Sequence, residues 1–449
     1  MKLLPLSGKL LVVVTIALPL ALALSAGTGS AGSLPGTTAR AEAARSSFEV
    51  WVMDQSDSTE DGGGTLFVYP GDPLTADAAG AEPEVIDLGG AARDLCLAET
   101  GTAPKRPHML MVNQSETHAI VAFVATGHVL FLDAPSRTPV ACIDVGEQAH
   151  AAYPAQDESY VIVSNQNGKQ VHRISADFAA GTFALDEAAT IDLATCTTPS
   201  GEACEDPTLR PDNAPVCPVV TADGRFTAVT LRGGGLFVVD SRATPMAIVA
   251  EYDAATIRPN GCVGVETAGK LYLNSGGGTV LTPFAADLYA FDVASFSTTP
   301  SPPNTPAPNE IFNYDTTGSD THGCVLVADD AYVWVADRAG NRIIVVEVAA
   351  DAVVAEIDLA GDLSADPAPD LIAVSPDGGW VFTALRGPVP LTANNPDADN
   401  AVGSSPGLGV VRVDPDGRSG ALVGLAPITH PDADGVGTAD PHGLAVRSR

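Results

Sequence analysis

From Phe48 onward the chain is written in short apolar runs, most of them β-branched, that alternate with Gly-rich, Asp-Gly or Pro-containing turns. Runs such as Tyr160-Val-Ile-Val and Ile343-Ile-Val-Val are too short for helices and are rich in the residues that suit a pleated surface. The pattern predicts many strands and almost no helix. It also repeats. Five segments open alike: His108-Met-Leu-Met-Val, His150-Ala-Ala-Tyr-Pro, His322-Gly-Cys-Val-Leu, Asp370-Leu-Ile-Ala-Val and His442-Gly-Leu-Ala-Val. Ten residues after the first four openings stand His118, Tyr160, Tyr332 and Trp380, each leading a β-rich run, and Asp157, Asp329 and Asp377 hold the seventh position. Self-similarity of about 40 to 50 residues, with several strands per unit, is the mark of a β-propeller in which each unit is a four-stranded blade.

Openings at Val216 and Gly261 keep the same register and bring the series to seven: His108, His150, Val216, Gly261, His322, Asp370 and His442. The last unit holds one strand only, since three residues follow Val446. Strand-like runs at Phe48 to Met53, Gly64 to Tyr69 and Pro83 to Leu88 precede the first internal opening. The expected fold is therefore all-β, a seven-bladed β-propeller whose ring closes by pairing of the C-terminal strand with these N-terminal strands, which removes exposed sheet edges. Residues 388–406 interrupt the sixth blade, and residues 195–213 and 298–308 form further long loops. Such loops collect on a propeller's rims as solvated segments or as a roof over the channel.

Residues 332–357, YVWVADRAGNRIIVVEVAADAVVAEI, resemble the repeat that names the YVTN propellers, and residues 160–174, YVIVSNQNGKQVHRI, match its first half. The resemblance implies a seven-bladed fold similar to the quinoprotein amine dehydrogenase and lactonase-like propellers. It implies no activity, because function on such a scaffold is set by its site.

Lys2 and Lys9, the apolar run from Leu10 to Leu24 and the A-x-A sequences around Ala41 read as a signal peptide with a short leader over residues 1–43, followed by one propeller domain over residues 44–449. No later segment is long and apolar enough to span a bilayer as a helix. The expected location is secreted or periplasmic, outside the cytoplasm. The seven cysteines fit that compartment. Cys196 and Cys204 flank one loop and form the pair best supported by proximity. Cys96 with Cys142 is a second candidate. Cys217, Cys262 and Cys324 read either as one bridge with a leftover thiol or as small buried hydrophobes. The formal charge of −32, from 23 Lys+Arg against 55 Asp+Glu, repels phosphate backbones and excludes nucleic acid as a partner.

The repeat carries one constellation with chemistry. Each opening residue precedes an innermost strand, so His108, His150, His322, His442 and Asp370 come from contiguous blades of the closed ring and converge at the channel mouth. Imidazoles with a carboxylate form a metal-ligand set suited to Cu, Fe or Zn and unsuited to Ca²⁺ or Mg²⁺. The same residues read equally as structural hydrogen-bonding groups or as a metal-free site. Two functional classes follow. One is an extracytoplasmic binding or scaffold propeller that takes a small molecule, metal or protein ligand at the channel mouth. The other is an enzyme, either a His-metal-dependent oxidoreductase or a lactonase-like hydrolase.

Overall fold

The computed structural model describes residues 47–449 apart from 57, 59, 60, 280, 281, 315–317, 432–434 and 436; the leader expected over residues 1–43 lies outside the described residues. The described residues form seven antiparallel sheets of four strands each. Six blades are continuous in sequence: blade 1 runs from Pro107 to Asp144, blade 2 from Ala149 to Asp192, blade 3 from Pro215 to Tyr252, blade 4 from Gly264 to Asn313, blade 5 from Thr321 to Asp358 and blade 6 from Pro369 to Pro427. Blade 7 combines both ends of the chain. Its inner strand is Pro441–Ser448, and Phe48–Asp54, Thr65–Pro70 and Glu84–Asp87 follow outward. The two ends meet with Val50 opposite Val446 and Trp51 opposite Ala445. Closure thus follows the sequence expectation.

The second strands are buried on both faces, and most, such as His118–Phe123 and Tyr160–Asn165, are largely apolar without alternation. In His118–Phe123, Ile120 and Ala122 join one hydrophobic cluster, whereas Ala119, Val121 and Phe123 join another. Two short α-helices, Gly71–Ala76 and Arg93–Thr100, interrupt the strand pattern along with brief helical turns such as Leu88–Ala92, and both α-helices lie in the connections that lead into and out of the outer strand of blade 7.

Two glycines bring the inner strands close at the axis. A Cβ on Gly323 would meet the Asp370 carbonyl oxygen at 2.6 Å, and one on Gly443 would meet the His108 carbonyl oxygen at 2.5 Å. Each follows a ring histidine directly, so the missing side chain lets neighbouring opening residues touch.

Three disulfides form: Cys96–Cys142, Cys196–Cys204 and Cys217–Cys262. Cys324 is free and buried. The Cys217–Cys262 bridge ties the start of blade 4 to the inner strand of blade 3, directly after the ring position in each.

Candidate site at the channel mouth

In six of the seven blades the opening residue is the second residue of the inner strand, and in blade 4 Gly261 lies three residues ahead of it, at the end of the disc where inner strands begin and second strands finish. The five candidate side chains meet there as a continuous arc. His150 Nε2 lies 3.3 Å from His108 Nε2. The His108 ring stacks on that of His442 at 4.0 Å between centroids and 17° between planes. His442 Nδ1 is 2.5 Å from Asp370 Oδ2, and the His322 ring stands 5.3 Å from that of His442. All five are buried, with His442 and Asp370 at 0% exposure. His118, His128 and His172 lie elsewhere and bond to nearby threonines.

The five do not form a single compact ligand shell. Among the described residues, His322, Asp370 and His442 bring three ligand-type atoms within 4.8 Å of one another, and His150 does so with Cys217 and Cys262, whose sulfurs are bonded to each other. His108 connects the two groups.

A second ring surrounds the first. The residue that ends or follows the second strand, six beyond the aromatic position, is Val124, Gln166, Arg232, Arg338 and Arg386 in blades 1, 2, 3, 5 and 6, and Gln55 takes the equivalent place in blade 7. Arg386 is fully buried and donates Nη1 to Asp370 Oδ2 at 2.8 Å and Nε to Asp440 Oδ1 at 2.6 Å. Arg338 donates Nη1 to Asp370 Oδ1 at 3.2 Å and Nε to Asp320 Oδ2 at 3.0 Å. Asp370 therefore sits between two guanidinium groups and an imidazole.

The electrostatics follow from this packing. Burial pushes the Asp370 carboxyl up, but His442, Arg386, His322 and Arg338 outweigh it and hold the group well below the usual carboxylate range. Burial, followed by the neighbouring His442, His150, His322 and Arg386, holds His108 well below its ordinary value. Burial and Arg338 do the same to His322 against the opposing pull of Asp370. His150 is lowered to about 3, chiefly by burial. Burial alone would cost these groups their charge, so His108, His150 and His322 are neutral imidazoles at pH 7.

Above this arc lies a cavity of ≈ 520 Å³. His150 and His322 reach its wall, together with Arg106, Arg232, Arg338 and Asp212. Residues 388–406 supply its roof through Leu391, Thr392 and Ala393. That segment is pinned at four points: Leu391 N donates to Asp440 Oδ2 at 2.7 Å, Arg386 Nη2 to the Thr392 carbonyl at 2.9 Å, Asn395 Nδ2 to the Thr279 carbonyl at 3.0 Å and Asn400 Nδ2 to Asp320 Oδ2 at 2.6 Å. Of the two expectations for this insertion, the roof is the one found.

Sequence reasoning placed the opening residues but passed over Gln55, Arg338, Arg386 and Asp440. A signal was present: Gln166, Arg232, Arg338 and Arg386 each stand sixteen residues after an opening residue, in the register that aligned the aromatics.

No protein-family model and no curated protein matches the chain. Solved structures do. A protein from Lactobacillus plantarum matches with a TM-score of 0.56 at 12% identity, over 89% of this chain and 99% of that one. The periplasmic gluconolactonase PpgL of Pseudomonas aeruginosa matches with a TM-score of 0.55 at 14% identity, over 90% and 99%. A candidate 6-phosphogluconolactonase from Bacteroides fragilis matches with a TM-score of 0.53 at 12% identity, over 89% and 98%. At this level of identity the likeness is one of fold, a seven-bladed propeller.

Proposed function

We propose that this chain is an exported propeller, released from a leader over residues 1–43, that binds a small anionic molecule at its channel mouth, and that it belongs with the YVTN-repeat propellers. The single observation that carries the binding reading is a local reversal of charge. In a chain of formal charge −32, the cavity wall presents three arginines: Arg338 is offset by Asp320 and Asp370 and Arg232 by Asp212, which leaves Arg106 as the unmatched charge, with two neutral imidazoles beside it. Arg106 makes no ion pair among the described residues, and Arg232 gives Nε to Asp212 and Nη1 to Asn167 while Nη2 stays available. The volume falls among small-molecule sites, ~300 to 1,000 Å³. Three disulfides fit an oxidising compartment.

The likeness to a gluconolactonase favours a second reading, hydrolysis of a lactone to a hydroxy acid in the same cavity. His322 is compatible with it, since it lines the cavity with neither ring nitrogen hydrogen-bonded and can meet a bound water. Both readings place a small anion at the site, the second as the hydroxy acid product.

Calorimetric titration with gluconate and with glucose, its neutral counterpart, tests the proposal. Gluconate should bind and glucose should not, and Arg106→Ala should weaken gluconate about tenfold, the ~1.4 kcal/mol of one charge-assisted contact. Equal binding of the two sugars would refute the anionic reading. Glucono-lactone turnover above the spontaneous rate, lost in His322→Gln, would select the enzyme.

A further inference from the structure

Proton positions at one end of the histidine arc follow from a single fixed amide. Asp440 carries only acceptors and takes Gln55 Nε2 at 2.8 Å. Gln55 Oε1 therefore faces His108 Nδ1 at 3.2 Å and accepts its hydrogen. His108 Nε2, left as an acceptor, takes the hydrogen of His150 Nε2 at 3.3 Å. A neutral imidazole has only one N–H, so His150 Nδ1 keeps a lone pair. The residue is 8% exposed, and Nδ1 faces Cys217 Sγ at 3.9 Å. That sulfur is bonded to Cys262 and has no hydrogen to give. The Val216 carbonyl, the backbone group beside the ring, is an acceptor as well. A buried lone pair is thus aimed at a pair of sulfurs with nothing to accept, and such an atom calls for an occupant.

We infer that Cys217, Cys262 and His150 form a zinc site when the two cysteines are thiols, and that the disulfide and the ion are alternative states of the same pair of sulfurs. The three ligand atoms already lie within 4.8 Å of one another. A sulfur ~2.3 Å and a nitrogen ~2.1 Å from one zinc, at an angle of about 109 to 120°, stand about 3.6 to 3.8 Å apart; Cys217 Sγ and His150 Nδ1 are 3.9 Å apart with the bridge closed. The Cα atoms of the two cysteines, 4.9 Å apart, hold both sulfurs within reach of one ion. Two thiolates and an imidazole are a soft set that suits zinc, and three protein ligands leave the fourth position open. His150 reaches the cavity wall, as do Val216, Pro259 and Asn260 beside the cysteines, so an ion held there adjoins the cavity. Zn²⁺ displaces the two thiol protons on binding. Closing the bridge removes the same two protons with two electrons, which pass to a disulfide oxidant. A chain made in a reducing compartment therefore meets the zinc state first. None of this depends on the anionic ligand.

The test uses the full untagged chain, freed of metal, in its bridged form and after reduction with a phosphine. Zn²⁺ is titrated by calorimetry and Co²⁺ by absorption. The reduced chain should bind one equivalent of zinc with a Kd below ~1 μM and show a cobalt–thiolate band, and the bridged chain should show no such band. Cys217→Ser combined with Cys262→Ser should abolish the band, whereas Cys196→Ser combined with Cys204→Ser should leave it. His150→Ala should weaken zinc about 100-fold, because one of three protein ligands is gone. A chain chelating through scattered thiols would not register the loss of one imidazole, so binding indifferent to His150 overturns the inference. Absence of the equivalent, or a band that survives without Cys217 and Cys262, overturns it too. Should reduction melt the sheets, refolding of the thiol form is followed by circular dichroism: zinc should restore the sheet signal in the parent chain and not in His150→Ala. Failure to restore it in the parent, or equal recovery in both, contradicts the inference.

Discussion

Blades 5, 6, 7, 1 and 2 and blades 3 and 4 share one backbone plan and put opposite chemistry at the same place in it. On the first arc the opening residues are His322, Asp370, His442, His108 and His150, joined by ring contacts and by ion pairs to Arg338 and Arg386. On the second they are Val216 and Gly261, and the wall behind them is held by the Cys217–Cys262 bridge. The polar arc is a network of mutually dependent charges, whereas the apolar arc is held by a covalent bond. A repeat register therefore decides where a residue points. It does not decide what that residue does, and the site arises where several blades place compatible groups in the same ring.

Removing residues 440–449 strikes the middle of the polar arc and should have the largest effect. It takes away the inner strand of blade 7 with His442 and Asp440, and exposes the backbone of Phe48–Asp54. The loss should match the whole stability of the domain, ~5 kcal/mol or more, and circular dichroism should show no cooperative melt. A well-folded truncated protein would mean that the ring closes some other way.

Single changes in the two arcs should then differ in kind. Asp370→Ala leaves Arg338, Arg386 and His442 without their common buried partner and should cost ~3 to 5 kcal/mol in urea denaturation. Replacing Cys217 and Cys262 together by Ser opens a cross-link of sequence separation 45 and should cost ~2 to 4 kcal/mol. The first variant should lose gluconate binding and the second should keep it. Equal effects on binding would erase the distinction between the arcs.

The smallest effect is a dependence on pH confined to the polar arc of the metal-free protein. In the fold His108, His150 and His322 stay neutral, with His150 lowered to about 3, while in the unfolded chain they titrate near ~6.5. The unfolded state thus binds more protons below pH ~6.5. Stability is full above that value and falls as the pH drops toward the folded values. Between pH 7.5 and 5.5 each histidine should remove ~1.4 kcal/mol, and His150→Asn should flatten the curve by that amount. A stability curve level down to pH 5 would show that these rings accept protons within the fold.

Much of this architecture is legible in the sequence. Blade number, closure and the convergence of the opening residues all follow from an ungapped register, because a strand's inward positions are set by its period. The second ring was missed for a physical reason. Arg338 and Arg386 follow second strands and, read singly, look like solvated charges at strand ends. Their burial depends on Asp320, Asp370 and Asp440, which stand at or just before the starts of inner strands of the same and the next blade. Gln55 was hidden in the same way, since its partners Asp440 and Thr392 lie more than three hundred residues away. The roof formed by residues 388–406 carries no strand pattern, and its position rests on side-chain amides such as Asn400 that reach acceptors fixed by the fold.

A crystal structure of the protein soaked with gluconate tests the central claim most directly. The account predicts ligand density in the channel mouth beneath Leu391 and Thr392, with the carboxylate against Arg106 or Arg232 and a hydroxyl facing His150 or His322. Density instead in the apolar groove lined by Met111 and Tyr153, or an empty mouth at a concentration that saturates the calorimetric signal, would contradict it.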